Sequence, residues 1–239
     1  MMEERYLQET KMLDYSSPEI EKLVVAREWR RLPPSGRVKS IYSFVRDEIL
    51  FGYNTDDSIP ASRVLSDGCG QCNTKSTLFM ALLRACSIEC RIHGFTIHKR
   101  IQNGAMTGLV CLLAPENVFH SWVEVHLGDR WYITEGIILD SRYLSTLRRK
   151  FPPHAGPFVG YGVVAVKDWK NLNVDFNGND TFIQSEGING DYGVYDSPDD
   201  LLSDHGQEMS HLKAFVYRHI GRHLMNRNVG ITRGCVDRE

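Results

Sequence analysis

Apolar residues recur at helical spacing in four stretches of the chain and alternate at strand spacing in others. Ser17, Pro18 and Glu19 open a helix expected over about 18–31, carrying Ile20, Leu23 and Val24, and Pro33 and Pro34 end it. Val38, Ile41, Tyr42, Val45 and Ile49 line one face of a second helix from near Ser35. Leu78, Phe79, Leu82, Leu83 and Cys86 make the apolar side of a third, starting at Cys72 and ending about Ser87, which should be the buried central helix. The last, from about Glu208 to Met225, turns Met209, Leu212, Phe215, Val216 and Leu224 inward, with Arg218, Arg222 and Arg227 on a solvated face.

Strand signals lie between these helices. Cys90 to Ile97 and Tyr161 to Val166 read as strands. In Phe119 to Leu127, His120, Trp122, Glu124 and His126 fall on one face and Ser121, Val123, Val125 and Leu127 on the other. Gly128 and Asp129 suit a two-residue type II′ turn into a second strand, Arg130 to Glu135, so the stretch is a hairpin. Phe51 to Asp57 reads as loop, and Pro60, Ala61 and Ser62 lead towards the turn before Cys72. Lys99 to Asn117 loses its period, and two readings stay open: a loop over a cleft, or an extra strand Leu109 to Leu113 between turns. Asn171 to Asp196, rich in Asn, Asp and Gly, should be mostly surface loop with brief strands. The pattern predicts an α+β fold, with the Cys72 helix on an antiparallel sheet that holds the hairpin.

Chemistry concentrates at Asp67-Gly68-Cys69-Gly70-Gln71-Cys72-Asn73-Thr74-Lys75. Two glycines allow a tight turn, and a helix beginning at Cys72 points unpaired N–H groups and its positive dipole end at the sulfur. That setting favours the thiolate, so Cys72 reads as a nucleophile. His120 is the candidate base. If Leu127 and Arg130 flank the turn, His120 lies opposite Ile137 and Glu135 is its diagonal neighbour, close enough for the carboxylate to orient the ring. The backbone N–H of Cys72 is the natural first donor to an oxyanion, and Tyr53 and Gln71 are candidates for the second.

Gly-Gln-Cys before Leu82-Leu83-Arg84-Ala85, the His-Ser-Trp-Val-Glu-Val strand and the Trp131 to Glu135 strand resemble a transglutaminase-like core of papain-like fold over roughly residues 35–145. The order Cys, His, acid agrees, and Cys72 and His120 fall on the Gly-x-Cys and His-x-Trp motifs. Glu135 stands where that family usually has an aspartate. The resemblance implies chemistry through a thioester, which passes to water in an amidase or peptidase and to an amine in an acyl transferase. The triad does not choose between them. A peptide or small-molecule amide is the expected substrate, and the rival class is a non-catalytic peptide-binding module that keeps the fold. Retention of all three roles argues against the rival. Glu135→Gln is expected to cost less than loss of His120, since an amide could still hold the ring.

The totals add little to this. The 239 residues suit one larger domain, 1–239, with 42% hydrophobic and 24% charged residues. A net charge of -2 gives no reason to expect nucleic acid or an anionic membrane as partner. The first residues lack the apolar run of a signal peptide, so a cytoplasmic protein with reduced cysteines is expected. Cys69 and Cys72 could join Cys86 and Cys90 in a four-sulfur zinc site, but Cys86 falls on an apolar helix face, where free cysteine packs as a small hydrophobe. A thioredoxin-like reading fails because no strand precedes Cys69. No metal or cofactor is expected. His93, His98, His126, His211, His219 and His223 read as structural.

Overall fold

Proline sets where the first helices begin. In the computed structural model, which describes residues 3–106, 114–152, 156–165, 169, 172–206 and 211–235, helix α1 (Pro18–Ala26) and α2 (Pro34–Asp47) each carry proline in the first turn, where a missing N–H costs nothing. The first helix stops short of residue 31. Glu28 takes a left-handed conformation, φ 52°, and Trp29–Arg31 form a separate 3-10 turn that buries Trp29. Pro34 therefore opens α2, beyond its expected role of ending α1.

Short strand β1 (Leu50–Phe51) pairs in parallel with β2 (Cys69–Gly70), and between them lies α3 (Ala61–Asp67). The pattern did not reveal α3: seven residues give barely two turns, with Ala61 and Val64 inside. Gly68 ends it at φ 64°, a conformation that suits glycine. A Cβ on Gly70 would come within 2.8 Å of Thr74 Oγ1 and Lys75 Cγ, so only glycine lets the chain pass this close to the next helix.

Helix α4 (Cys72–Ala85) is buried along its whole length and is the central helix. It packs on an antiparallel sheet of order β5-β4-β3-β8, built from β3 (Cys90–His98), β4 (Asn117–Leu127), β5 (Arg130–Ile133) and, far along the chain, Ile188–Tyr195. The hairpin register is the expected one, with Leu127 opposite Arg130 and Glu124 opposite Ile133. The pairing ends at Ile133. Thr134 donates from its N–H to Val123 O at 3.0 Å, and Glu135–Ile137 then leave the sheet as a 3-10 turn.

Helix α5 (Ser141–Lys150) is followed by the small hairpin of β6 (Phe158–Gly160) and β7 (Val163–Ala165). The stretch expected to be mostly surface loop contributes β8 (Ile188–Tyr195), paired with β3, and buries Phe176, Thr181 and Ile183. Helix α6 (Pro198–His205) leads to α7 (His211–Val216), which runs through a π turn, Tyr217–Gly221, into α8 (Arg222–Arg233). Leu109 to Leu113, Val166 and the expected start of the last helix at 208–210 lie outside the described residues. Phe215, Ile220 and Leu224 lie largely on the solvent side; the pattern expected Phe215 and Leu224 inside, but the π turn shifts the facing of the helix and Met225 and Val229 are the residues buried. No helix among the described residues is long and apolar enough to cross a membrane.

Candidate active site

Cys72 is the first residue of α4, with Gln71 as N-cap. Thr74 returns the cap, its Oγ1 accepting the Gln71 N–H at 3.1 Å. The turn into α4 is thus fixed by residues on either side of Cys72. Cys72 is 8% exposed, whereas His120 and Glu135 are fully buried.

His120, on β4, bonds through Nε2 to Glu135 Oε1 at 2.8 Å. Glu135 does not reach the ring as a diagonal strand neighbour. It stands in the 3-10 turn, and its second oxygen accepts the backbone N–H groups of Ile183 at 2.8 Å and Ser185 at 3.1 Å. Both carboxylate oxygens are engaged, and the imidazole is held from one side only. The other ring nitrogen, Nδ1, is buried without a hydrogen-bond partner among the described residues. Burial alone would lower the His120 pKa, but the nearby Cys72 sulfur and Glu135 outweigh it and raise the value to about 9. Sulfur and ring interact, then, without a formed S–H···N bond.

The Cys72 thiol instead meets Asn73 Oδ1 at 3.6 Å. That oxygen also accepts the Ser121 hydroxyl from β4 at 2.9 Å. Asn73 Nδ2 donates to Asp57 Oδ2 at 2.8 Å, and Gln71 Nε2 donates to Asp57 Oδ1 at 2.6 Å. Burial pushes the Asp57 carboxyl up, and its bonds from Asn73 and Gln71 oppose that rise. Pattern alone did not find Asp57, Asn73, Ser121 or Tyr217. The visible hint was the pair of amides, Gln71 and Asn73, on either side of the cysteine.

The two candidate oxyanion donors are both engaged. Tyr53 is buried and its hydroxyl donates to Gln102 Oε1 at 2.8 Å, while the Gln71 amide oxygen accepts the Asn54 N–H at 3.0 Å and its nitrogen serves Asp57. Tyr53 and Tyr217 both lie near enough for the sulfur's charge to raise their pKa values, with burial the larger cause in each. Trp122 packs on Phe95, with centroids 4.1 Å apart, and Phe95 in turn lies 6.4 Å from the His120 ring. Cys86 is core, and burial raises its thiol pKa to about 11. Among the described residues no three His, Cys, Asp or Glu side chains gather as metal ligands.

A cysteine opening a buried helix, against an antiparallel sheet that presents histidine backed by a carboxylate, defines the papain-like class of α+β fold. Residues 25–135 match the model of the transglutaminase-like superfamily. The chain is also similar to a solved structure, that of a candidate cysteine protease from Cytophaga hutchinsonii, at 15% identity and a TM-score of 0.43. That alignment covers 82% of this chain, which spans 47% of the other's length. No curated protein matches the chain.

Proposed function

We propose that the protein is a cysteine-dependent enzyme acting on amide bonds through a thioester. The observation that carries this reading is the His120 to Glu135 contact of 2.8 Å, with Cys72 near enough to the same ring to raise its pKa. Attack requires thiolate and imidazolium together, and the pKa of His120, raised to about 9 by Cys72 and Glu135, favours that ring as acceptor of the sulfur's proton. The sulfur adds to the amide carbonyl, and the negative charge passes to its oxygen. As the C–N bond breaks, His120 gives its proton to the leaving amine. Water or a second amine, deprotonated by the now neutral ring, then cleaves the thioester and restores the pair.

The test is to incubate the protein with a panel of peptide and small-molecule amides and trap the acyl adduct by mass spectrometry. The expected result is one adduct, on Cys72, which Cys72→Ala abolishes. His120→Ala should lower turnover by about 10²–10⁴-fold, the usual worth of a general acid and base. Turnover that survives in Cys72→Ala would sink the mechanism. A folded protein with no adduct and no fast alkylation at Cys72 would favour a binding module on the same core.

A further inference from the structure

Asp57 contacts neither the sulfur nor the histidine in any hydrogen bond, yet it bonds the side chains directly before and after the nucleophile, at 2.6 Å to Gln71 and 2.8 Å to Asn73. A carboxylate only accepts, so both amides must turn their nitrogens towards it. For Asn73 this has a consequence at the sulfur: its oxygen is left facing Cys72, at 3.6 Å, and Ser121. An acceptor beside a thiol favours the protonated sulfur, whereas a donor there would favour the thiolate. His120 Nδ1, which the mechanism needs as the sulfur's proton partner, meanwhile stays without a hydrogen bond.

We propose that Asp57 is a positioning residue which, by fixing the orientation of the Asn73 amide, parks the Cys72 proton on an S–H···O bond and holds the resting site in its thiol form. The inference rests on Cys72 being the reactive sulfur. The groups that act on that sulfur are Asn73 from α4, by contact, and, through their charge, His120 from β4, Tyr53 from the segment after β1 and Tyr217 from the π turn; Asp57 acts behind Asn73, next to Asp56, which is paired with Arg218 at 2.6 Å. The Asn73 amide can exchange an acceptor for a donor by rotating about one bond, whereas the hydroxyls of Tyr53 and Tyr217 are committed to Gln102 Oε1 and Asn54 O. Gln71 cannot rotate freely, because its oxygen is held at 3.0 Å by the Asn54 backbone N–H.

Asp57→Asn therefore tests the idea with little change of shape. An amide at 57 can accept from Gln71 only by turning its own nitrogen towards Asn73. Asn73 must then flip, presenting N–H to the sulfur, with the Ser121 hydroxyl rotating to accept. The measurement is the iodoacetamide rate at Cys72 as a function of pH, read by mass spectrometry, which needs no substrate. The profile of Asp57→Asn should move about one unit towards acid, giving about a tenfold faster reaction at pH 6. Asn73→Ala, which keeps the Asp57 charge, should move it the same way, and adding Asp57→Asn to it should change nothing more. An unmoved profile in Asp57→Asn overturns the proposal. So does an equal shift in the Asn73→Ala background, which would assign the effect to the lost charge. If Asp57→Asn does not fold, Asn73→Ala alone decides, an unchanged profile being fatal. No site-selective reaction at Cys72 in the unaltered protein would defeat the nucleophile reading itself, a failure distinct from these.

Discussion

Glu135 lies beyond the paired strand, in the turn that follows it. The 3-10 turn at Glu135–Ile137 sets the carboxylate so that one oxygen meets His120 and the other meets two backbone N–H groups. This geometry changes the expectation for Glu135→Gln. A glutamine oxygen must stay with the N–H groups of Ile183 and Ser185, which turns its NH₂ towards His120 Nε2. The ring then has to accept there and carry its proton on Nδ1, the tautomer that cannot take a proton from the thiol. Glu135→Gln should therefore lose about 10²–10⁴-fold, as much as His120→Ala, and steady-state kinetics on any trapped substrate will show whether it does. The same ring predicts a pH profile. Activity should fall on the alkaline side near pH 9, where His120 loses the proton needed by the leaving amine. A kcat/KM profile still flat at pH 10, with chemistry rate-limiting, would rule His120 out as the proton carrier.

Among elements, α4 is held at its start by a lysine that the apolar pattern did not mark. Lys75 is fully buried, and its ammonium donates to the carbonyls of Arg46 and Ile138, each at 3.1 Å, which joins the ends of α2 and the Glu135 turn to the nucleophile helix. Burial lowers its pKa to about 7, with Asp140 and Asp47 opposing. Between that value and the ordinary 10.5 the unfolded chain binds more protons, so this residue makes stability rise with pH. His120 acts in the opposite sense: its pKa is raised, so its contribution is complete below 6.5 and is lost as pH rises through about 9. Urea unfolding of Lys75→Met should accordingly show stability falling more steeply from pH 7 to 9 than in the unaltered protein; parallel curves would mean that the lysine carries no such shift. A second tie is the buried pair of Arg233 and Asp140 at 2.7 Å, where Asp140 also accepts the Phe51 N–H at 3.0 Å. Arg233→Ala strands that carboxylate in the core and should cost about 3–5 kcal/mol in the same assay. The hairpin's turn and its register as far as Ile133 could be read, because alternation and a two-residue turn specify register locally, but not the exit of the chain from the sheet before Glu135. Helix α3 could not, being too short for its period to stand out. Brief strands were expected within 171–196, but not the eight-residue strand Ile188–Tyr195, because its pairing with β3 overrides a turn-rich composition.

For the molecule as a whole, the matched core stops at residue 135, yet the parts that steady the candidate site come from well beyond it. Ile183 and Ser185 hold Glu135, and the C-terminal helices grip the segment after β1 at several points. Asn226 brackets Tyr53, accepting its N–H at 2.7 Å and donating to its carbonyl at 3.0 Å. Tyr217 donates to Asn54 O at 3.2 Å, and Arg218 pairs with Asp56 at 2.6 Å. Such contacts join residues more than 160 positions apart, and one sequence offers no local signal for them. The π turn at Tyr217–Gly221 carries the contacts of Tyr217 and Arg218 at its start and leads into α8, which holds the Asn226 and Arg233 grips. A π turn is an α-helix with one residue too many, so here it works as a phase adjuster between two sets of teeth. Deleting Ile220, whose side chain is 55% exposed, would let the helix relax to regular winding. One end would then turn by about 100° relative to the other, the angle of a single residue in an α-helix. With α8 still anchored by Arg233, Tyr217 and Arg218 should come off the 54–56 segment, and amide exchange there should quicken while that of α4 stays slow. Unchanged exchange over 54–57 would show that the extra residue sets no phase.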